Sequence, residues 1–202
     1  MTRALFIVDV QNDFTERGAL GVEGGDAAAA RISEFVAAHA ADYEIVVASR
    51  DWHDGDGDNG GHFSETPDFV DTWPVHCVAG TDGAAYDDVF DTAPVTHHLK
   101  KGQGRPAYSL FEGVTDDGRT AADLLDADRI RDIDVVGIAT DYCVRASALD
   151  ALAAGRTVRV FTDLIAGVHA DSSAAALDEI AAAGGRLLPS TQAGDSDETP
   201  AR

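Results

Sequence analysis

A chain of 202 residues with 45% hydrophobic content is long enough for one sizeable core and too short for two ordinary domains. Its 36 acidic against 15 basic residues give a net charge of −21, which argues against nucleic acid or an anionic membrane as partner, because the field repels both. No apolar run approaches the ~20 residues of a bilayer span, the apolar start is closed at once by Asp9, and Cys77 and Cys143 lack disulfide-framework spacing.

A cytoplasmic protein with reduced thiols is therefore expected. Acidic residues are scattered along the chain and the only lysines are Lys100 and Lys101. This pattern matches the solvation strategy of proteins from a salt-rich cytoplasm, so a halophilic protein stabilised by salt is expected.

Arg3 to Val10 reads as a strand, Ala27 to Ala40 as an alanine-rich helix and Tyr43 to Ser49 as a second strand. Residues 51 to 94, rich in Asp, Gly, Pro, aromatics and histidine, read as a long functional loop. Val95 to Lys100 suggests a strand, Thr120 to Ala127 a short helix, Ile133 to Ile138 a strand and Asp141 to Ala154 a helix. Thr157 to Phe161, Ser172 to Ala183 and Gly185 to Leu188 complete the pattern as strand, helix and strand. Alternating strands and helices predict a three-layer α/β/α fold with a mainly parallel central sheet, one domain over residues 1–189. Residues 190–202 are polar and turn-forming and read as a disordered tail.

In a parallel sheet, ligands bind at the carboxyl ends of the strands. Five features fall there. Cys143 follows the buried run Val135–Ile138 and an N-cap at Thr140 or Asp141. In the first turn of a helix it would gain from the unpaired N–H groups and the dipole, which favour a thiolate. Asp9 closes the first strand and could take the thiol proton and later deliver it to a leaving group. Asp51 and His53 alternate along extended chain, with His62 and His76 further along the loop. Carboxylate plus imidazole suits zinc, iron or manganese. Lys101 could supply the cation that favours a thiolate, whereas Lys100 reads as a solvated strand end. Phe14, Trp73 and Tyr108 lie in loops beside these motifs, as walls for a flat ring would. His97, His98 and His169 lack suitable partners.

Together these pieces resemble the nicotinamidases, also called pyrazinamidases, of the isochorismatase-like cysteine hydrolase superfamily. The resemblance runs from about Arg3 to Leu188. It is carried by Phe6-Ile7-Val8-Asp9-Val10-Gln11-Asn12-Asp13-Phe14, Asp51-Trp52-His53, Trp73-Pro74-Val75-His76-Cys77, Lys101-Gly102, Ala107-Tyr108-Ser109 and Gly137-Ile138-Ala139-Thr140-Asp141-Tyr142-Cys143-Val144. It implies a triad of Asp9, Lys101 and Cys143, with the spacing to Ala107-Tyr108-Ser109 selecting Lys101 over Lys100. It further implies one divalent metal, zinc by preference with iron or manganese as alternatives, on Asp51, His53, His76 and His62. An oxyanion hole at the N–H groups of Ala139 and Cys143 goes with a cis peptide before Ala139. A ring pocket is implied at Phe14, Trp73, Tyr108, Ile138, Ala139 and Tyr142. The spacer Asp54-Gly55-Asp56-Gly57-Asp58-Asn59-Gly60-Gly61 looks longer and more acidic than in the family, which bears on His62. Extra loop residues cost little closure entropy, so the ligand set can survive them.

The reaction implied is hydrolysis of nicotinamide, or of pyrazinamide-type analogues, to the acid and ammonia in NAD salvage. Attack by Cys143 would form a thioester, and homo-oligomerisation is left open. A ureido or carbamoyl amidohydrolase would keep the triad without needing the metal loop. A vinyl ether hydrolase would not need the cysteine, and a non-catalytic metal-binding protein is the alternative outside enzymes.

Overall fold

Six strands form one all-parallel sheet: β1 (Arg3–Val8), β2 (Ile45–Asp51), β3 (His97–Lys101), β4 (Asp132–Ile138), β5 (Thr157–Ala166) and β6 (Arg186–Leu188). Their order is β3-β2-β1-β4-β5-β6 in the computed structural model, which describes residues 2–194. The chain builds outward from β1 to β3, then returns to the other side of β1 as β4. At such a reversal the connections diverge and leave a crevice at the strands' carboxyl ends.

β1 and β4 are continuous apolar runs because both their faces are covered. Leu5 and Ile7 face α1 (Gly25–His39), whose Ala29, Ile32, Phe35 and Val36 form one buried stripe. Ala4, Phe6 and Val8 face the opposite layer, which contains α2 (Ala121–Ala127), α3 (Arg145–Ala153) and α4 (Ala170–Ala182). Each fully buried Leu, Ile or Phe contributes about 1.5–3 kcal/mol of hydrophobic transfer energy, so these two layers hold the sheet that carries the site. The expected α/β/α architecture is what the chain adopts. Among the described residues no helix is long and apolar enough to cross a membrane.

Departures from the sequence reading have local causes. β1 stops at Val8 rather than Val10 because Asp9 turns to a left-handed φ of 48°. β5 runs on to Ala166 rather than Phe161. Its polar Thr162 and Asp163 break the apolar pattern, but after an irregularity between Val135 and Gly137 the strand pairs again, Gly137 with Ile165. Gly137 has φ 128°, and a Cβ there would lie 2.1 Å from the Val8 carbonyl oxygen, so β1 and β4 approach closely only with glycine. The helix expected from Asp141 starts instead as a π turn, Thr140–Val144, and becomes α-helical only at Arg145.

Ser190–Gln192, placed in a polar tail by composition, form a 3-10 turn. The Asp163 carboxylate accepts from the Ser190 N–H at 2.7 Å and from its hydroxyl at 2.6 Å. The rest of that expected tail, from residue 195 on, lies outside the described residues.

Candidate active site

Four adjacent strands end at one rim, and each delivers a polar group there. Asp9 follows β1, Asp51 closes β2, Lys101 closes β3, and Ala139 and Cys143 follow β4. Lys101, fully buried, is the centre. Its Nζ lies 2.9 Å from Asp9 Oδ2, donates to Asp51 Oδ1 and the Ala107 carbonyl, and sits 3.6 Å from Cys143 Sγ. The Asp9, Asp51 and Cys143 donor atoms all lie within 4.8 Å of one another. Ser49 donates to Asp9 Oδ1 at 2.7 Å, so the carboxylate's orientation is fixed from both sides. The Ile138–Ala139 peptide is cis, as the resemblance led us to expect.

Electrostatics here differ from the expected helix-terminal thiolate. Burial pushes the Cys143 thiol well above its ordinary value, and Asp9 and Asp51 push it further, although Lys101 opposes them. Cys143 rests as a thiol and needs a base. Asp9 is suited to be that base, since burial raises its pKa and the neighbouring Asp51 charge adds to the rise against Lys101 and Ser49. Burial would also raise Asp51, but Lys101, His53 and His76 outweigh it and hold that carboxyl well below the usual range. Lys101 remains an ammonium because Asp51 and Asp9 overcome its desolvation.

On one wall, His53, His62 and His76 present nitrogens within 4.8 Å of one another, and all three are buried. His53 Nδ1 is 2.8 Å from the Gly102 carbonyl and His76 Nδ1 is 2.8 Å from the Pro74 carbonyl. Those acceptors require N–H at Nδ1, which leaves each Nε2 lone pair facing inward. Asp51 Oδ2 lies 3.7 Å from His53 Nε2 and 3.8 Å from His76 Nε2. His53 Nε2 and His62 Nδ1 are buried without a hydrogen-bond partner, an orphaned state that a bound cation relieves. The donor set, one carboxylate oxygen and three imidazoles, fits a divalent metal. Burial, reinforced by His53 and His76, pushes His62 down to about 4, so it is a neutral donor at neutral pH. The acidic spacer 54–61 leaves His62 beside His53 and His76. Asn59 ties the spacer down, its Oδ1 accepting from Asp54 N at 2.9 Å and Gly104 N at 3.2 Å. Gly102 closes the wall: at φ 85° a Cβ would strike the His53 ring at 2.5 Å.

A cavity of about 260 Å³ opens between this wall and Cys143. Phe14, Trp73, Tyr108, Ala139 and Tyr142 line it, as do His62, His76 and Asp51. Trp73 Nε1 donates to Tyr108 Oη at 3.0 Å, fixing two aromatic walls against each other. Ile138, expected among the lining residues, packs behind them with Phe14 and Ala139, because the end of β4 buries it completely. His97, His98 and His169 stay outside, and Lys100 pairs with exposed Asp116 at 2.7 Å.

Several residues of the site escaped the sequence reading. Ala19 to Val22, Phe69 and Val168 line the cavity, Ser49 holds the Asp9 carboxylate, and Gln11 holds the Asp51 backbone. A serine two residues before Asp51, on the same face of an extended strand, carried a faint signal. Gly21 and Val168 carried none, since only tertiary folding brings their loops to the rim.

Comparison with known proteins gives the arrangement its relatives. Residues 3–192 match the isochorismatase domain model. The chain belongs to the isochorismatase family. It is 49% identical over 189 residues to a nicotinamidase/pyrazinamidase of Mycobacterium tuberculosis, covering 94% of this chain and 100% of that protein. Among solved structures, an L. infantum family member in complex with nicotinate superposes with a TM-score of 0.80 at 33% identity, covering 94% of this chain and 93% of that one. A Pyrococcus horikoshii pyrazinamidase in complex with zinc gives 0.79 at 34% identity, covering 94% and 99%.

Proposed function

We propose that this isochorismatase-family chain hydrolyses nicotinamide to nicotinate and ammonia through a thioester on Cys143, with pyrazinamide-type amides as further substrates. The observation that carries the reading is the contact of one buried ammonium, Lys101, with both Asp9 and Cys143 at the floor of an aromatic cavity. The nicotinate complex and the nicotinamidase/pyrazinamidase relative support the substrate class.

His53, His62 and His76, with Asp51 beside His53 and His76, would hold a divalent metal, with zinc first among the candidates because a related pyrazinamidase is in complex with it. Such an ion would supply Lewis-acid binding of a donor atom of the substrate, which would help to position the carboxamide over Cys143. Phe14, Trp73 and Tyr108 hold the ring faces and keep water out.

With the carboxamide carbon over Cys143, Asp9 takes the Sγ proton as the sulfur–carbon bond forms. Lys101 stays protonated throughout. It stabilises the Asp9 carboxylate before transfer and the sulfur as charge develops on it. The N–H groups of Ala139 and Cys143 receive the carbonyl oxygen as it becomes an oxyanion; loss of one such donor costs about 10²-fold or more in rate. Asp9 then gives its proton to the departing amine, releasing ammonia and leaving the thioester. A water deprotonated by the same carboxylate attacks the acyl carbon, the carbon–sulfur bond breaks, and Asp9 returns the proton to Cys143.

The test is ammonia release from nicotinamide before and after chelation, then after adding back zinc, iron or manganese. Release that disappears with chelation and returns with one ion supports the reading and names the ion. A folded, metal-loaded protein that releases none contradicts it and directs the search to ureido and carbamoyl amides.

A further inference from the structure

The two residues preceding the nucleophile each hold a different lip of the cavity. Asp141 accepts at Oδ1 from Val168 N at 2.9 Å, and at Oδ2 from His169 N at 3.2 Å and Ser172 Oγ at 2.6 Å. This fixes the Val168 lip. Tyr142 works on the other side, its hydroxyl donating to the Phe69 carbonyl at 3.2 Å across 73 positions of sequence.

The Phe69 lip is a self-contained turn. The Asp68 carboxylate accepts from the N–H groups of Val70, Asp71 and Thr72 and from the Thr72 hydroxyl, all at 2.9–3.0 Å. Those donors hold the Asp68 carboxyl well below the usual range, so the turn keeps its acceptor through mildly acidic pH. Phe69 itself has φ 58°, a conformation costly for a bulky side chain and kept only where surroundings impose it. Its ring meets Trp73 edge to face at 6.2 Å, and Trp73 in turn meets Tyr142 at 4.9 Å. Phe69 nevertheless remains 52% exposed while lining the cavity. A large apolar ring left half in water at the mouth of a cavity, in a strained backbone, is not explained by core packing.

We infer that Phe69, held in place by the Tyr142 hydroxyl, is the specificity-determining residue that limits how large a ring substituent the cavity admits. At about 260 Å³ the cavity lies near the lower edge of ligand-sized pockets, so little slack exists. A substituent pointing away from the imidazole wall and from Cys143 leaves between two lips, and of these Phe69 carries the larger apolar side chain. Neither lip residue is charged and no lysine or arginine lines the cavity, so the discrimination is by size. Tyr142 acts through Phe69 and is a positioning residue in this role.

The inference rests on the proposed amide hydrolysis, and the experiment separates the two. Holoenzyme, Phe69→Ala and Tyr142→Phe are each assayed for ammonia release from nicotinamide and from a pyridine-3-carboxamide carrying a branched alkyl group at ring carbon 5. The readout is the ratio of kcat/KM for the larger amide over that for nicotinamide, which cancels losses common to both substrates. We expect the ratio to rise about tenfold or more in Phe69→Ala and severalfold in Tyr142→Phe, the scale on which apolar pockets discriminate methylene groups. The rise should come chiefly from a lower KM for the larger amide. A ratio unchanged in both variants, with nicotinamide still turned over, overturns the inference and leaves the function standing. A wild-type holoenzyme that turns over neither amide overturns both.

Discussion

Gln11 and Asp51 are locked main chain to side chain. The Asp51 N–H donates to Gln11 Oε1 at 2.8 Å, and Gln11 Nε2 donates to the Asp51 carbonyl at 3.0 Å and to the Ala84 carbonyl at 3.0 Å. Both residues are buried, so these bonds orient the one carboxylate shared by Lys101 and the imidazole wall. Gln11→Ala leaves three buried backbone groups without partners at about 1–3 kcal/mol each, partly relieved by water. We expect a loss of about 2–4 kcal/mol in denaturant unfolding and a 10–100-fold weaker metal affinity. Unchanged metal content after dialysis against a weak chelator would show that Asp51 does not depend on Gln11.

Lys101→Met removes the ammonium that touches both the Asp9 and Asp51 carboxylates. Leaving buried charges uncompensated costs about 3–5 kcal/mol, and the variant should also lose activity at saturating substrate. A variant as stable as wild type by chemical denaturation would contradict the role of Lys101 in compensating the Asp9 and Asp51 charges.

How much of this was legible in the sequence follows from where the information sits. Asp9 and, after Ser49-Arg50, Asp51 follow apolar runs, and a polar group in that position is visible in one dimension; Lys101 closes the mostly polar strand His97–Lys101 and was selected by its spacing to Ala107-Tyr108-Ser109. The parallel order of the strands then brings them together without any need to know the loops. The cluster of three imidazoles was legible because three of seven histidines fall in one aromatic-rich loop. The chemical state of Cys143 was misread: a π turn replaced the expected first helical turn, and burial beside two carboxylates outweighs any dipole. Phe69, Val168, Gln11 and Ser49 were not singled out because their roles arise from contacts between segments far apart in sequence. Arg159 shows the same limit. It lies in β5 yet is fully buried, because Asp134 accepts from it bidentately at 2.6 and 2.7 Å.

His62 gives a pH dependence with a defined sign. Its folded value of about 4 lies below the ordinary 6.5, so between those values the unfolded chain binds more protons than the folded one. Stability of the metal-free protein therefore falls as pH drops from 6.5 towards 4, and levels off above 6.5 as far as this group is concerned. Protonation also competes with metal binding, so bound metal should be released over an acidic range. Melting curves of the metal-free protein in that window check the first point; a His62→Asn variant with the same slope would contradict it.

Net charge of −21 makes the folded chain self-repelling. We expect the melting temperature to climb between dilute buffer and molar potassium chloride as screening shortens the Debye length from tens of ångströms to about 3 Å. A flat melting temperature over that range would remove the salt-adapted reading of the surface.

The most direct test of the account is nicotinamide hydrolysis by metal-loaded Cys143→Ala, with metal content measured on the same sample. We expect full metal occupancy, since Cys143 is not among the residues of the imidazole wall and Asp51 keeps its contacts with His53, His76 and Lys101, and no ammonia above the uncatalysed rate. Turnover near that of the wild type would contradict a thioester on Cys143, and with it the roles assigned to Asp9 and Lys101.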